Sequence, residues 1–174
     1  MKPVPSENGE KAVVEAAGRL PPEDRLLWLV CRAELDAVRR RLLRETVDGA
    51  LAWDRVIDKG RYHRLLDLLH HHLHRCGHLG AVPAVERARL DESRAQARGM
   101  QSRLDAALAH CTTALEAASV EYVIVKGPTL QVLYPDDVVR AAGDLDFLVH
   151  EEDLGAATAA VGRAVEEEHF LLRL

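Results

Sequence analysis

Two short runs of β-branched and aromatic residues, 120–125 and 144–149, limit most strongly what this chain can fold into. Such runs are typical of β-strands. The sequence before them has apolar residues at helical spacing instead. The chain is therefore predicted to be an α+β protein, with a largely α-helical N-terminal region and a small sheet. The stretch 120–150 also holds the densest set of potentially catalytic side chains.

The second run opens with two aspartates, Asp144 and Asp146, separated by Leu145. Side chains two apart in a strand share a face, at a Cα separation of about 6.5–7 Å. Two neighbouring carboxylates repel unless a cation or water lies between them. Mg²⁺ is bound by few carboxylates and completes its coordination with water and substrate phosphate. The pair predicts an Mg²⁺ site; the alternative is a strand with exposed acids at a sheet edge.

The residues between the two runs predict an anion site. A helix over 128–134 would begin at the turn formed by Lys126 and Gly127, and N–H groups in a first helical turn bind anions. Lys126 lies beside that turn, although an exposed lysine at a strand end is also common. Arg140 either binds phosphate bidentately or pairs with Asp136 or Asp144.

These residues resemble the uncharacterised nucleotidyltransferase family, which belongs to the DNA polymerase β-like superfamily. The resemblance rests on Lys126-Gly127, Leu130, Leu133-Tyr134-Pro135-Asp136, Arg140 and Gly143-Asp144-Leu145-Asp146-Phe147-Leu148-Val149. It implies a mixed sheet flanked by helices, two Mg²⁺ ions on acidic residues, and transfer of a nucleotidyl group from a nucleoside triphosphate (NTP). It makes Asp144 and Asp146 catalytic metal ligands, and it assigns phosphate binding to Lys126, Gly127, Thr129 and Arg140.

The sequence departs from the superfamily pattern in two places. The usual Gly-Ser after the first strand is replaced by Lys126-Gly127-Pro128-Thr129, in which Pro128 has no N–H to offer. A third carboxylate is usually carried by a later strand. Residues 169–174, HFLLRL, can begin such a strand, but no acid follows them. We therefore expect a shortened protein, a fragment of a longer one, or a protein that has lost the activity.

The resemblance and the apolar spacing together divide the chain into three segments. We expect a mobile tail or short helix at 1–20, a helical region at 21–118, and a nucleotidyltransferase-like α/β core at 119–174 that is incomplete at its C-terminal end. The helical region is predicted to contain helices at 23–48, at Trp53–Lys59 ended by Gly60, at 62–76, and at 83–118 as one helix or two. A stripe in the last helix is predicted to be core; it consists of Leu104, Leu108, Cys111, Leu115 and Ala118.

Two groups of basic residues have both an ordinary and a functional interpretation. His70 and His74 have the i, i+4 spacing of a metal-binding helix, within a cluster that runs from His63 to His78. No HExxH motif is present, so we favour a solvated histidine-rich face. The arginine run 39–44 is predicted to be a solvated face paired with nearby acids; the alternative is a contact for an acidic partner or a phosphate.

The composition bears on nucleic-acid binding, on the state of the cysteines and on membrane insertion. The net charge of −5 argues against broad nucleic-acid binding. The three cysteines, Cys31, Cys76 and Cys111, have no CxxC spacing and predict reduced thiols in a cytoplasmic protein. The sequence has no stretch of 18 apolar residues, so we predict no membrane-spanning helix.

The leading hypothesis is Mg²⁺-dependent nucleotidyl transfer to an acceptor that the sequence does not identify: a small molecule, a peptide, a protein or an RNA end. The alternatives are a catalytically impaired or truncated nucleotide-binding module and a helical protein-interaction partner. Association with a protein partner or with itself is compatible with each of these.

Overall fold

The structure is a computed structural model that describes residues 7–140 and 143–167. These residues are mostly helical, with a small antiparallel sheet, which is consistent with the predicted α+β class. The helices are α1 (Glu7–Gly18), α2 (Pro22–Val30), α3 (Ala37–Val47), α4 (Trp53–Tyr62), α5 (Leu66–Arg75), α6 (Ala84–Ala117) and α7 (Leu154–Glu167). The strands are β1 (Tyr122–Val125) and β2 (Asp146–Val149), and short 3-10 helices span Leu79–Ala81, Gly127–Leu133 and Glu151–Asp153.

The chain divides into two compact units, which are described separately. The first consists of residues up to Ala95 together with Pro135–Val138, and the second of Gln96–Tyr134 together with the residues from Val139 onward. Helix α6 passes from one unit into the other, and Gly99 does not interrupt it. The predicted segment 83–118 is therefore one helix.

The first unit is a helical bundle with its own apolar core. The segment 23–48, predicted as one helix, is two helices, because Asp36 starts a new one: its carboxylate accepts a hydrogen bond of 2.8 Å from the backbone N–H of Arg39. Both helices keep their apolar faces on the same core. Fully buried side chains of this core include Leu26, Leu29, Leu43, Ile57, Leu69 and Leu73.

Gly60 does not end α4, contrary to the prediction. The helix continues to Tyr62, and Gly60 lies buried inside it. A β-carbon at this position would come within 2.6 Å of Leu66 Cδ2 and 3.3 Å of Leu27 Cδ2. Glycine is therefore required here by close packing between helices, and not by a helix terminus.

The second unit has a smaller core on one face of the β-hairpin. Strands β1 and β2 pair antiparallel, with Tyr122 opposite Val149 and Val125 opposite Asp146. The side chains of one face pack against α6 and α7; this cluster contains Leu115, Val120, Tyr122, Phe147, Val149, Ala157 and Val161. Val123 and Leu148 are opposite each other on the other face and are exposed.

The described sheet is two-stranded and antiparallel, whereas the resemblance implied a mixed sheet. The predicted further strand at 169–174 lies outside the described residues. The apolar stripe of α6 is confirmed at Leu104, Cys111 and Leu115, which are buried, while Ala118 is exposed. Burial raises the pKa of the Cys111 thiol.

The three cysteines are free thiols, as the sequence predicts. Within residues 7–140 and 143–167, no helix combines the length and the apolar character that crossing a bilayer requires. The longest of them, α6, carries charged residues along its whole length.

Candidate functional site

The β-hairpin brings together two of the residues predicted from the sequence. Asp146 is opposite Val125, the last residue of β1, so its carboxylate lies beside the turn that begins at Lys126. Lys126 Nζ donates a hydrogen bond of 3.3 Å to Asp146 Oδ2. The side chains remain 71% and 43% exposed, respectively, so both are open to a ligand.

The turn after β1 has an unusual backbone. Lys126 adopts a φ of 59° and a ψ of −143°, a region that a residue with a side chain rarely occupies. Such a conformation costs on the order of 1–3 kcal/mol and is frequent at functional sites. Gly127 follows with a φ of 44°, and a β-carbon there would lie 3.2 Å from the Asp144 carbonyl oxygen. The turn therefore places the backbone of Gly127 against that of Asp144.

Thr129 is positioned by the same turn. Residues Gly127–Leu133 form a 3-10 helix instead of the predicted two-turn helix. The backbone N–H and the hydroxyl of Thr129 both donate to the Lys126 carbonyl, at 3.0 and 2.6 Å. Pro128 has no N–H, and the N–H of Thr129 already donates to the Lys126 carbonyl. Neither of the two residues after Gly127 therefore offers a free backbone N–H to an anion. Thr129 contributes to a phosphate site only if it releases the Lys126 carbonyl.

Arg140 reaches back to the turn from the other side. Its backbone N–H donates to Gln131 Oε1 at 2.8 Å, and its Nη1 donates to the Gly127 carbonyl at 3.3 Å. The pairing with Asp136 or Asp144 that the sequence left open is not formed among the described residues. Arg140 therefore holds the backbone of the turn and keeps further N–H groups for a ligand.

Asp144 lies before β2, which begins at Asp146, so strand alternation does not govern its orientation. Its side chain is exposed. In the part of the chain that is described, no group of three or more His, Cys, Asp or Glu residues is arranged to hold a metal ion. The candidate donors are thus the two carboxylates. Their hard oxygens suit Mg²⁺, which is commonly bound by one or two carboxylates together with substrate phosphate.

The histidine cluster is only in part the solvated face that we favoured, since His63 and His74 are exposed. His71 and His72 are buried. His72 Nε2 donates to the Arg32 carbonyl at 2.7 Å, and burial lowers the pKa of His72. His70 and His74 do share a helix face, with ring centroids 6.1 Å apart. The structure thus uses these imidazoles as packing and hydrogen-bonding groups.

Two groups of contacts in the first unit, one around His71 and one around Arg94, were not predicted. Asp137 lies with its Oδ2 2.9 Å from His71 Nδ1, and this contact lowers the pKa of Asp137. Arg94, on α6, donates to the Asp67 carboxylate, to His70 Nε2 and to the Asp137 carbonyl. The partners are far apart in the chain, 66 residues for the His71–Asp137 pair, so local patterns carried no signal for them.

The arginine run of α3 is only partly a solvated face. Arg39 is buried, pairs with Asp36, and lies 5.7 Å from the centroid of the Trp28 ring. Arg41 forms the expected exposed pair with Glu45, at 3.7 Å. The contact between the Arg39 guanidinium and the Trp28 ring joins the start of α3 to α2.

Comparison with known proteins identifies the family. The model of a family described as uncharacterised nucleotidyltransferase matches residues 49–164, about two thirds of the chain. The matched segment includes Lys126, Gly127, Arg140, Asp144 and Asp146. No curated protein and no solved structure shows significant similarity to the chain. The protein therefore belongs to the uncharacterised nucleotidyltransferase family, as its sequence motifs indicate.

Proposed function

We propose that this protein transfers a nucleotidyl group from an NTP to an acceptor, in a site built on the turn between β1 and the 3-10 helix. The observation that carries the proposal is the convergence on this turn. Lys126 contacts the Asp146 carboxylate, Arg140 binds the Gly127 carbonyl, and Gly127 lies against Asp144. Family membership supports nucleotidyl transfer as the general activity.

Asp144 and Asp146 are the residues that would hold Mg²⁺. Two Mg²⁺ ions, when bound with the NTP, would supply charge neutralisation on the phosphates and activation of the attacking group. The two aspartates would hold these ions close to the turn after β1, where the Asp144 side chain is exposed and the Asp146 side chain is partly exposed. The Asp146 carboxylate already contacts one cation, the ammonium group of Lys126. A metal ion could take the place of this ammonium group on the same carboxylate.

Lys126 would exchange partners when the NTP binds. Its exposed ammonium group is held by a single carboxylate oxygen, and a phosphate oxygen can accept a charge-assisted hydrogen bond in the same way. Movement of Nζ to the phosphate would also release Asp146 for metal binding. Lys126 would thus bind the phosphate and, by moving, free the Asp146 carboxylate for a metal ion.

Arg140 and Gly127 would fix the phosphate chain. One N–H of the guanidinium holds the Gly127 carbonyl, and the remaining N–H groups can bind phosphate oxygens in a planar fork. This arrangement stabilises charge that develops on the phosphate oxygens during transfer. Thr129 would add its hydroxyl after leaving the Lys126 carbonyl. Catalysis of this kind depends mainly on positioning and electrostatics.

We assign the nucleotidyltransferase-like core to residues 119–174 and the helical region to residues 21–118, and we propose that the protein acts in the cytoplasm. The acceptor would be a hydroxyl or another nucleophile on a small molecule, a peptide, a protein or an RNA end.

Calorimetric titration with each of the four common NTPs, with and without Mg²⁺, tests the proposal. We expect saturable heat with at least one NTP and affinity about tenfold lower for Asp144→Asn and Asp146→Asn in Mg²⁺. Glu152→Gln is the matched control, because Glu152 is an exposed acid that follows β2 in the chain. Absence of heat with all four NTPs, or equal loss in the control, would contradict the assignment.

A further inference from the structure

The first unit contains a cleft that the proposed nucleotide site does not use. Its volume is about 690 Å³, and all the residues that line it belong to the first unit. The walls come from residues 33–35 before α3, from Arg40 in the first turn of α3, from residues 71–76 at the end of α5, and from the segment Pro135–Asp137. This volume lies within the range typical of small-molecule sites, about 300–1,000 Å³. The cleft is therefore large enough for a ligand of its own.

Two guanidinium groups line this cleft. Arg40 stands in the first turn of α3, and Arg75 is the last residue of α5. Arg40 donates from Nε to the Leu35 carbonyl at 3.0 Å, which fixes the direction of its side chain. Among the described residues, neither arginine forms an ion pair, and both are exposed. Two unpaired planar forks are suited to a carboxylate or a phosphate group.

His71 adds an oriented imidazole to the wall between them. Its Nδ1 lies 2.8 Å from Asp137 Oδ1 and 2.9 Å from Oδ2. A carboxylate only accepts, so Nδ1 carries the proton. The residue is only 9% exposed and lines the cleft, and within the described ranges Nε2 has no hydrogen-bond partner. Nε2 is therefore an acceptor for a hydrogen bond from a ligand donor.

Acidic side chains complete the lining. Asp136 and Glu34 also line the cleft. A polyanion would be repelled by these carboxylates, whereas a small molecule that carries a hydroxyl or ammonium group next to its anionic group would satisfy both kinds of wall. The mixed charges thus argue against a nucleic-acid strand and for a compact polar ligand.

We propose that this cleft binds a small polar molecule through a carboxylate or phosphate group held by Arg40 and Arg75, with a neighbouring hydroxyl or ammonium group directed to His71 and Asp136. This ligand site is separate from the proposed nucleotide site, since none of its lining residues is Lys126, Gly127, Arg140, Asp144 or Asp146. The cleft retains this role whether or not the protein transfers nucleotides.

The test is an NMR titration of the full chain that follows the His71 imidazole. Inorganic phosphate and acetate are added in separate series, with sodium chloride at equal ionic strength as the reference. We expect a saturable shift of the His71 signals with phosphate or with acetate, and the anion that saturates identifies the group. Affinity should fall about tenfold in Arg40→Gln and in Arg75→Gln, because each removes a charge-assisted fork.

Two control variants make the result decisive. Arg41→Gln removes a neighbouring arginine that pairs with Glu45 on the exposed side of α3 and does not line the cleft; it should bind as the wild type does. Lys126→Ala alters only the proposed nucleotide site and should leave the His71 shift unchanged. A shift that follows sodium chloride, that persists in Arg40→Gln and Arg75→Gln, or that disappears in Lys126→Ala would overturn the proposal.

Discussion

Lys126 Nζ donates to Asp146 Oδ2 across 3.3 Å, which joins the turn after β1 to the first residue of β2. Both side chains are largely open to solvent, and an exposed ion pair contributes little to stability, about 0–1 kcal/mol. The backbone of Lys126, by contrast, is held in a costly conformation. An exposed pair on a strained turn has a clearer role in ligand binding than in folding.

Substitution of the lysine separates these two roles. Lys126→Ala should lower NTP affinity about tenfold through loss of a charge-assisted contact to phosphate. Its free energy of unfolding should change by less than about 1 kcal/mol. Calorimetry and urea denaturation measure the two quantities, with Lys11→Ala on the exposed face of α1 as the control. A variant that unfolds readily but binds NTP normally would show that the pair is structural.

Gly127 is the position in the turn where a side chain is least tolerated. Gly127→Ala should reduce the free energy of unfolding by about 1–3 kcal/mol, because it combines a positive φ with a β-carbon 3.2 Å from the Asp144 carbonyl oxygen. The same change at Gly99, inside α6 with no atom within 4 Å, should stabilise by up to about 1 kcal/mol. Urea denaturation measures the free energy of unfolding of both variants. Equal changes in Gly127→Ala and Gly99→Ala would contradict the described turn.

Arg94 and Arg89 provide a matched pair of arginines on α6. Arg94 and its partner Asp67 are 13% and 8% exposed, whereas Arg89 and Asp58 are 33% and 66% exposed. Arg94→Ala should cost about 3–5 kcal/mol, because it leaves a buried carboxylate without this cation. Arg89→Ala should cost less than about 1 kcal/mol. Thermal and urea unfolding of both variants measure the difference; similar losses would mean that burial does not govern these pairs.

Acidification should destabilise the first unit through its buried histidines. Burial lowers the pKa of His70 and of His72 below the usual 6.5, and the charge of Arg94 lowers that of His70 further. The unfolded chain then binds protons that the folded one does not, so stability present above about pH 6.5 is lost as the pH falls towards the folded pKa values.

Urea denaturation between about pH 8 and pH 5 measures this loss. In the double variant His70→Gln/His72→Gln, the free energy of unfolding should fall less with decreasing pH than in the wild type. His63→Gln, at an exposed position, should behave as the wild type does. The contact with His71 lowers the pKa of Asp137 below its usual 3.8, so the protein should lose further stability as the pH falls below that value. A decline unaffected by the double variant would assign the pH dependence to other groups.

Local patterns predicted the elements well where the decisive forces are local. The β-branched runs became β1 and β2, and the apolar stripe of α6 is buried at Leu104, Cys111 and Leu115. The break within 23–48 also had a local signal, since Asp36 is a preferred residue at a helix start. Sequence motifs alone were sufficient to identify the family.

Features that depend on tertiary packing were missed. Gly60 looked like a helix stop, but its role is set by Leu66 and Leu27, which approach it only in the folded unit. His71 and Asp137 are 66 residues apart, so no periodicity links them. In the candidate site, the residue types were predicted from the sequence. The hydrogen bond from the Thr129 hydroxyl to the Lys126 carbonyl was not, because it depends on turn geometry that residue spacing does not reveal.

The central claim is tested most directly by transfer of label from α-³²P-labelled NTPs, with Mg²⁺, to small-molecule, protein and RNA fractions offered as acceptors, together with release of pyrophosphate. We predict transfer by the wild type, a loss of at least about a hundredfold in the rate of transfer in Asp144→Asn and Asp146→Asn, and normal transfer in Glu152→Gln. Equal pyrophosphate release by wild type and by the two aspartate variants would contradict it.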